Sequence, residues 1–277
     1  MEFGELSKLN IVVLADNHVL RPGKFAGEYG FAAYIKAVGD WEFGILFDTG
    51  CGVVLEENML QAGIDWKDID YVVLSHRHFD HTGGLMKVIE NCKAPIIAHP
   101  DIFRPNFLWM RGRIVNGTLP FTKSQLEARG AQFILTREIF KFMGGIAVSG
   151  EIPRKSDEKV EDMYTLEDGK FVRDQMMDDM AILARTKKGG IVITGCAHSG
   201  IINTVNYGIE VLGNVYAALG GFHLMFTTPE MAEKRMESVL EKVELAGPTH
   251  CSGSVAQCVA MKKGKFLQMG SGAVFEF

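Results

Sequence analysis

An α/β fold is predicted by two features of the 277-residue sequence. Short apolar runs alternate along its length with stretches of helical character, the pattern of strands layered against helices. Two of those runs, Phe43-Gly-Ile-Leu-Phe-Asp-Thr-Gly50 and Gly189-Gly-Ile-Val-Ile-Thr-Gly-Cys196, echo one another as a buried strand closed by a glycine turn. Such an echo suits a single domain over residues 1–277 built from two similar βα halves, about 1–150 and 180–277, joined by a loop region.

In chain order, the apolar runs place strands at residues 10–15, 31–37, 43–48, 71–74, 95–98, 145–149, 180–185, 190–194, 214–219 and 266–276. The stretch from Thr82 through Gly83 and Gly84 to Glu90 has the cap and spacing of a helix start, and its positive end suits an anion or hydroxide. Residues 103–130, with Trp109, Arg111, Arg113 and Asn116, are irregular and read as a surface connection or a lid. Residues 153–179 mix charges with little apolar periodicity, as a solvated loop or an insertion at the mouth of a site does. From Pro229 to Leu245, Met231, Met236, Val239, Leu240 and Val243 recur at helical spacing, which predicts a covering helix.

Composition narrows the function classes. At 47% hydrophobic and 23% charged, the chain can bury a sizeable core, and its net charge of −5 argues against a nucleic-acid surface. The run Ile11–Ala15 is too short to span a membrane and lacks a signal-peptide pattern, so a cytoplasmic protein is expected. Five cysteines at 51, 92, 196, 251 and 258 form neither a disulfide framework nor a CxxC pair. The 14 methionines and 18 phenylalanines supply apolar surface for a core or a homodimer interface.

The chemistry concentrates in Ser75-His-Arg-His-Phe-Asp-His-Thr82, directly behind the apolar run Tyr71–Leu74. In an extended segment alternate side chains share a face, so His76 and His78 can grip one cation together. A turn after them swings Asp80 and His81 towards a second. Nitrogen and carboxylate donors without paired thiolates suit one or two divalent transition metals, zinc first, with Mn, Fe or Co as alternatives. Asp48, closing the neighbouring strand, is placed to orient a metal-binding histidine through its other ring nitrogen.

The segment His-Arg-His-Phe-Asp-His81 resembles the HxHxDH signature of the metallo-β-lactamase superfamily, whose four residues divide between two adjacent metal ions. Gly195-Cys-Ala-His-Ser-Gly200, Gly220-Gly-Phe-His-Leu224, Pro248-Thr-His-Cys-Ser-Gly253 and Ser149-Gly-Glu-Ile-Pro-Arg154 extend the likeness over the whole chain. Together they resemble the branch of dihydropterin ribofuranosyl-aminobenzene phosphate synthase-like proteins. The resemblance implies a four-layer αβ/βα sandwich with its metals between the halves. It implies His250 as the last ligand of the second metal, and His223 as a proton donor or substrate contact, with a ligand role as the alternative. Cys196 stands where most of the superfamily has a bridging aspartate. Either its thiolate binds metal or His198, two residues on, completes a site. Glu151 stands about where the first metal's third histidine would be, as an oxygen donor or a substrate contact, and His99 is either structural or pocket-lining.

The expected metal ligands are thus His76, His78, Asp80, His81, His198 and His250, with Asp80 and His223 as catalytic groups. The expected activity is hydrolysis of a small molecule by metal-activated water, on a phosphate ester or diester, a cyclic phosphate or a lactone. The family likeness favours a phosphorylated pterin- or nucleotide-like substrate. Iron-dependent redox chemistry on the same fold and a non-catalytic metal-binding protein are the other classes. A cysteine hydrolase using Cys196 and His198 is disfavoured by their spacing of two, which opposes a thiolate–imidazole contact.

Overall fold

The structure, a computed structural model, describes residues 3–110, 112–142, 144–159 and 163–277; Arg111 lies outside the described residues. In chain order its strands are β1 (Lys8–Ala15), β2 (Ala32–Val38), β3 (Glu42–Phe47), β4 (Tyr71–Val73), β5 (Ile96–Ala98), β6 (Phe107–Met110), β7 (Arg113–Asn116), β8 (Phe133–Leu135), β9 (Phe140–Lys141), β10 (Ile146–Val148), β11 (Met163–Glu167), β12 (Lys170–Arg173), β13 (Ala181–Thr186), β14 (Gly189–Thr194), β15 (Ala217–Gly221), β16 (Leu245–Thr249) and β17 (Val274–Glu276). Its α-helices are α1 (Leu55–Ala62), α2 (Phe79–Thr82), α3 (Leu85–Asn91), α4 (Lys123–Ala128), α5 (Ile201–Leu212), α6 (Pro229–Leu240) and α7 (Gly253–Lys262).

Two sheets stack face to face. The first runs β17-β1-β2-β3-β4-β5-β8 and the second β16-β15-β14-β13-β10-β9. Period-two alternation explains the stacking. Ile11 and Val13 of β1, Ile45 and Phe47 of β3, Ile182 of β13 and Ile191 and Ile193 of β14 meet in one buried cluster between the sheets. Their neighbours point outward: Leu14, Leu46 and Val72 pack with residues of α1 and α3. Leu183, Val192 and Ala218 pack with residues of α5, α6 and α7. The result is the helix, sheet, sheet, helix order of an αβ/βα sandwich. Each sheet borrows across the chain, since β17 joins β1 and β10 joins β13.

Four expectations need correction. The helix expected from Thr82 is divided: a single turn, α2, starts at Phe79 with His78 at its N-cap, α3 begins only at Leu85 behind Gly84, and the Thr82 hydroxyl donates to the His78 carbonyl at 2.9 Å instead of capping. The covering helix ends at Leu240, and Leu245 opens β16. Of residues 266–276, only Val274–Glu276 is a strand, while Phe266 makes a lone bridge to Ala246. The stretches 103–130 and 153–179 are not plain loops. They supply β6, β7, β11 and β12, which form a third, four-stranded antiparallel sheet joined through Phe107↔Tyr164 and Leu108↔Met163. Its strands leave Trp109, Ile114, Leu166 and Phe171 exposed, so no clean alternation marks them in sequence.

Arg77, within the histidine motif, ties this third sheet to the first. Its side chain is wholly buried, paired with Asp174 just after β12 and with Asp178 at 3.2 Å, and it also donates to the Asp101 carbonyl at 3.0 Å. Burial pushes the Asp178 carboxyl up to about 7 against the pull of Arg77. Replacing Arg77 by Met strands two buried carboxylates. It is expected to lower stability by about 3–5 kcal/mol in urea unfolding, and a loss below about 1 kcal/mol would contradict the pairing.

Candidate metal centre

Every donor of the histidine motif and its distant partners follows the carboxyl end of a strand. Asp48 follows β3, Ser75 to His81 follow β4, Cys196 and His198 follow β14, His223 follows β15 and His250 follows β16. Parallel pairing of β3 with β4, and of β14 with β15 and β16, delivers these ends to one cleft. The backbone is strained there. Asp48, Ala197, His223 and His250 all have positive φ, between 51° and 59°, which costs energy for residues with a side chain.

The first donor group is His76, His78 and His198. His76 Nε2 and His78 Nδ1 face each other at 3.1 Å, and the rings of both lie within 4.8 Å of the His198 ring. Their outer nitrogens are spoken for. His76 Nδ1 donates to Ser75 Oγ at 2.9 Å, because that hydroxyl gives its own proton to Asp48 Oδ2 at 2.6 Å. His78 Nε2 donates to Asn106 Oδ1 at 2.9 Å, an amide oriented by its own donation to Asp174 at 2.9 Å.

The second donor group is Asp80, His81 and His250. His81 Nδ1 donates to Asp48 Oδ2 at 2.7 Å, and its Nε2 stands 3.2 Å from His250 Nε2. His250 Nδ1 donates to Asn17 Oδ1 at 3.0 Å, and Asp80 Oδ2 lies 3.3 Å from His250 Nε2. Asp48 therefore orients a ring in each group, directly or through Ser75. Gly195 leaves room for this, since a Cβ there would collide with Ser75 Oγ and the Asp48 carboxylate.

These residues fit a divalent cation. With both outer nitrogens donating, the facing nitrogens of His76 and His78 present lone pairs to each other, an arrangement a cation between them resolves. Two nitrogens on a tetrahedral zinc ion stand about 3.3 Å apart, close to the spacing found. His198 is buried and, among the described residues, neither of its ring nitrogens has a hydrogen-bond partner, which is costly for a polar group without a ligand. Burial, with the neighbouring histidines, pushes His76 and His198 well below the usual imidazole range. Burial likewise takes His78 down to about 4, so its lone pair is available at neutral pH. Burial alone would raise the Asp80 carboxyl, but His81 and His250 outweigh it and hold it well below the carboxylate range. Burial alone would lower His250. Cys251 and Asp80 lift it instead to about 9, so the second group attracts positive charge and a metal there must displace a proton.

Cys196 lies between the groups. Its sulfur is 3.2 Å from His81 Nε2 and is within ligand spacing of His76 and His81, and of His198 and His223. Of the two alternatives raised for this position, the structure brings both Cys196 and His198 to the centre. Glu151 is not brought there: its Oε1 accepts from His99 Nε2 at 3.0 Å and Arg137 at 2.6 Å, and among the described residues it joins no donor group. His99, thus tied, also accepts from the Asp101 amide at 3.0 Å. His223 sits beside the first group, its ring 4.2 Å from that of His198 and its Nδ1 without a partner. Sequence reasoning missed Asn17, Asn106 and Cys251. Ser75, the polar residue opening the histidine motif, and Cys251, next to His250, stood in motifs that could have flagged them.

Over the donors opens a cavity of about 580 Å³, with His78, Asp80, His198 and His223 in its lining. Its walls are mostly apolar and aromatic, with Tyr29, Phe79, Trp109 and Phe226, and Lys159 and Arg235 add two cationic side chains. The third sheet contributes Leu108, Trp109, Val115 and Met163 to these walls.

Comparison with known proteins agrees with this geometry. The profile of the metallo-beta-lactamase superfamily matches residues 29–177. The chain is 32% identical, over all of its own length and 99% of the relative's, to 7,8-dihydropterin-6-methyl-4-(beta-D-ribofuranosyl)-aminobenzene-5'-phosphate synthase of Methanocaldococcus jannaschii. It is 35% identical to an uncharacterized protein of the same organism, covering 88% of this chain and 90% of that one. Among solved structures it is similar to Tm1679, a metal-dependent hydrolase of the beta-lactamase superfamily, with a TM-score of 0.82, 25% identity and coverage of 97% and 99%.

Because Asp48 holds rings in both groups, its replacement by alanine is expected to weaken metal binding about 10- to 100-fold. Competition against a chromophoric chelator measures this, and an unchanged affinity would remove Asp48 from the account.

Proposed function

The chain belongs to the metallo-beta-lactamase superfamily, and on that premise we propose that it is a metal-dependent hydrolase of phosphate esters or diesters, cyclic ones included, borne on a pterin- or nucleotide-like small molecule. The observation that carries the reading is the first donor group, where two facing lone pairs and an unpartnered His198 converge beneath a cavity. His76, His78 and His198 would hold one ion and Asp80, His81 and His250 a second, with zinc the first choice for this nitrogen and oxygen set. A divalent ion there supplies Lewis acidity and brings the pKa of a coordinated water from 15.7 to about 7.

The protein's own groups do the rest. Asp80, ionised at neutral pH, accepts a hydrogen bond from the attacking water and fixes its direction. His223 borders the cavity with Nδ1 unpartnered and its ring 4.9 Å from Phe226, which suits it to give a proton to the leaving oxygen. The apolar walls exclude water and strengthen these contacts. Tyr29, Phe79, Trp109 and Phe226 suit a planar ring system, while Lys159 and Arg235 suit a phosphate. The M. jannaschii relative is named for a product with pterin, aminobenzene and phosphate parts, which supports the same substrate class. Five free cysteines accord with a cytoplasmic setting, where thiols stay reduced. Iron-dependent redox chemistry is the second reading, since the five histidine donors of the two groups also suit iron.

The test is metal content per chain after purification without added metal, together with hydrolysis of bis(p-nitrophenyl) phosphate. About two zinc, manganese or cobalt ions per chain are expected, with turnover abolished in His78→Ala. In His223→Ala a kcat loss of about 10²- to 10⁴-fold at unchanged metal content is expected. Iron without turnover would favour redox chemistry, and no metal under loading conditions would end the enzyme reading.

A further inference from the structure

Two of the five cysteines meet at the floor of the cavity. Cys196 follows β14 and Cys251 lies two residues past β16, and the parallel pairing of both strands with β15 between them brings the residues side by side. Their sulfurs are 3.3 Å apart, and both residues are buried, at 3% and 1% exposure, yet both line the cavity. The absence of a side chain at Gly221, the end of β15, makes the approach possible. A Cβ there would come within 2.8 Å of Cys251 Sγ and 3.2 Å of the Cys196 Cα. The His250 ring completes the corner, since a nitrogen of it lies within 4.8 Å of both sulfurs.

The spacing distinguishes two uses of such a pair. A disulfide needs the sulfurs at about 2.05 Å. Two thiolates on one tetrahedral ion, each about 2.3 Å from it, stand about 3.8 Å apart. The observed 3.3 Å is nearer the second value, and a small outward rotation reaches it. We infer that Cys196, Cys251 and His250 form a soft metal position that shares His250 with the Asp80–His81–His250 group and takes a thiophilic ion such as Cd²⁺ or Cu⁺.

This inference rests on the reading of His250 as a metal donor. Each thiol that coordinates gives up its proton to solvent, the His250 nitrogen likewise sheds any proton it carries, and two metal–sulfur bonds and one metal–nitrogen bond form in their place. Ions that prefer oxygen and nitrogen, such as Mn²⁺, stay with Asp80 and His81, whereas a thiophilic ion moves across the shared histidine to the sulfurs. The centre therefore sorts ions by softness at one corner.

Titration of reduced, metal-stripped protein with Cd²⁺ tests this in the near ultraviolet, where thiolate-to-cadmium charge transfer absorbs. Alkylation with mass spectrometry reports which cysteines the ion protects. Wild type should show a saturating band with Cd²⁺ and none with Mn²⁺, with Cys196 and Cys251 both protected while exposed Cys258 stays reactive. In Cys251→Ser the band should fall by about half, one of two sulfur donors being lost, and Cys196→Ser should do the same. The protection measurement uses the unaltered chain, so it stands even if a variant fails to fold. An undiminished band in folded Cys251→Ser, or Cys251 alkylated equally with and without Cd²⁺, overturns the inference. Turnover of bis(p-nitrophenyl) phosphate with no thiolate band overturns it while sparing the hydrolase reading. A thiolate band without turnover supports it and counts against that reading instead.

Discussion

One buried carboxylate sets the geometry on which the centre depends. Asp48 closes β3 in a left-handed conformation, φ 59°, and accepts from Ser75 N at 2.7 Å, Ser75 Oγ at 2.6 Å and His81 Nδ1 at 2.7 Å. Hydrogen bonds to a charged group contribute roughly 1.5–3 kcal/mol each, enough to hold a residue in a backbone region that side chains avoid. Through these contacts the end of β3 fixes the end of β4. It also fixes which nitrogen of His76 and of His81 faces the cleft, so both donor groups inherit their orientation from one side chain.

A second constraint couples the centre to the walls of the cavity. His78 is oriented by Asn106, which stands one residue before β6, and Asn106 shares Asp174 with the buried Arg77 of the motif itself. The strand that follows carries Leu108 and Trp109 into the cavity wall. A shift of the third sheet therefore moves the ring of His78 along with the surface a substrate would touch. The two main sheets hold their own ends of the cleft through a shared core of facing residues.

How much was legible in the sequence follows from the range of each signal. The apolar strands and the His76–His81 motif are local patterns, read from spacing alone, and the helix, sheet, sheet, helix layering came through the family likeness those motifs carry. His198 and His250 came through the family likeness, His250 by its late place in the chain and His198 by its offset of two from the position of the bridging aspartate. The third sheet was not, since Phe107–Met110 and Met163–Glu167 pair across more than fifty residues and keep apolar side chains on exposed faces. Asn17, Asn106 and Cys251 were silent for a related reason. Their roles exist only once the fold sets them beside a histidine or a second sulfur; even Cys251, next to His250 in a quoted motif, shows its partner Cys196 only in three dimensions. Glu151 misled by its place in the sequence order, because Arg137 and His99 claim its carboxylate first.

The central claim is that two donor groups, three residues each, converge on metal ions in the cleft. Anomalous diffraction at the zinc edge, from crystals grown with zinc, tests it most directly. Peaks bounded by His76, His78 and His198 and by Asp80, His81 and His250 are the predicted result. A cleft without anomalous density, with zinc bound instead at carboxylates on the surface, would contradict the account.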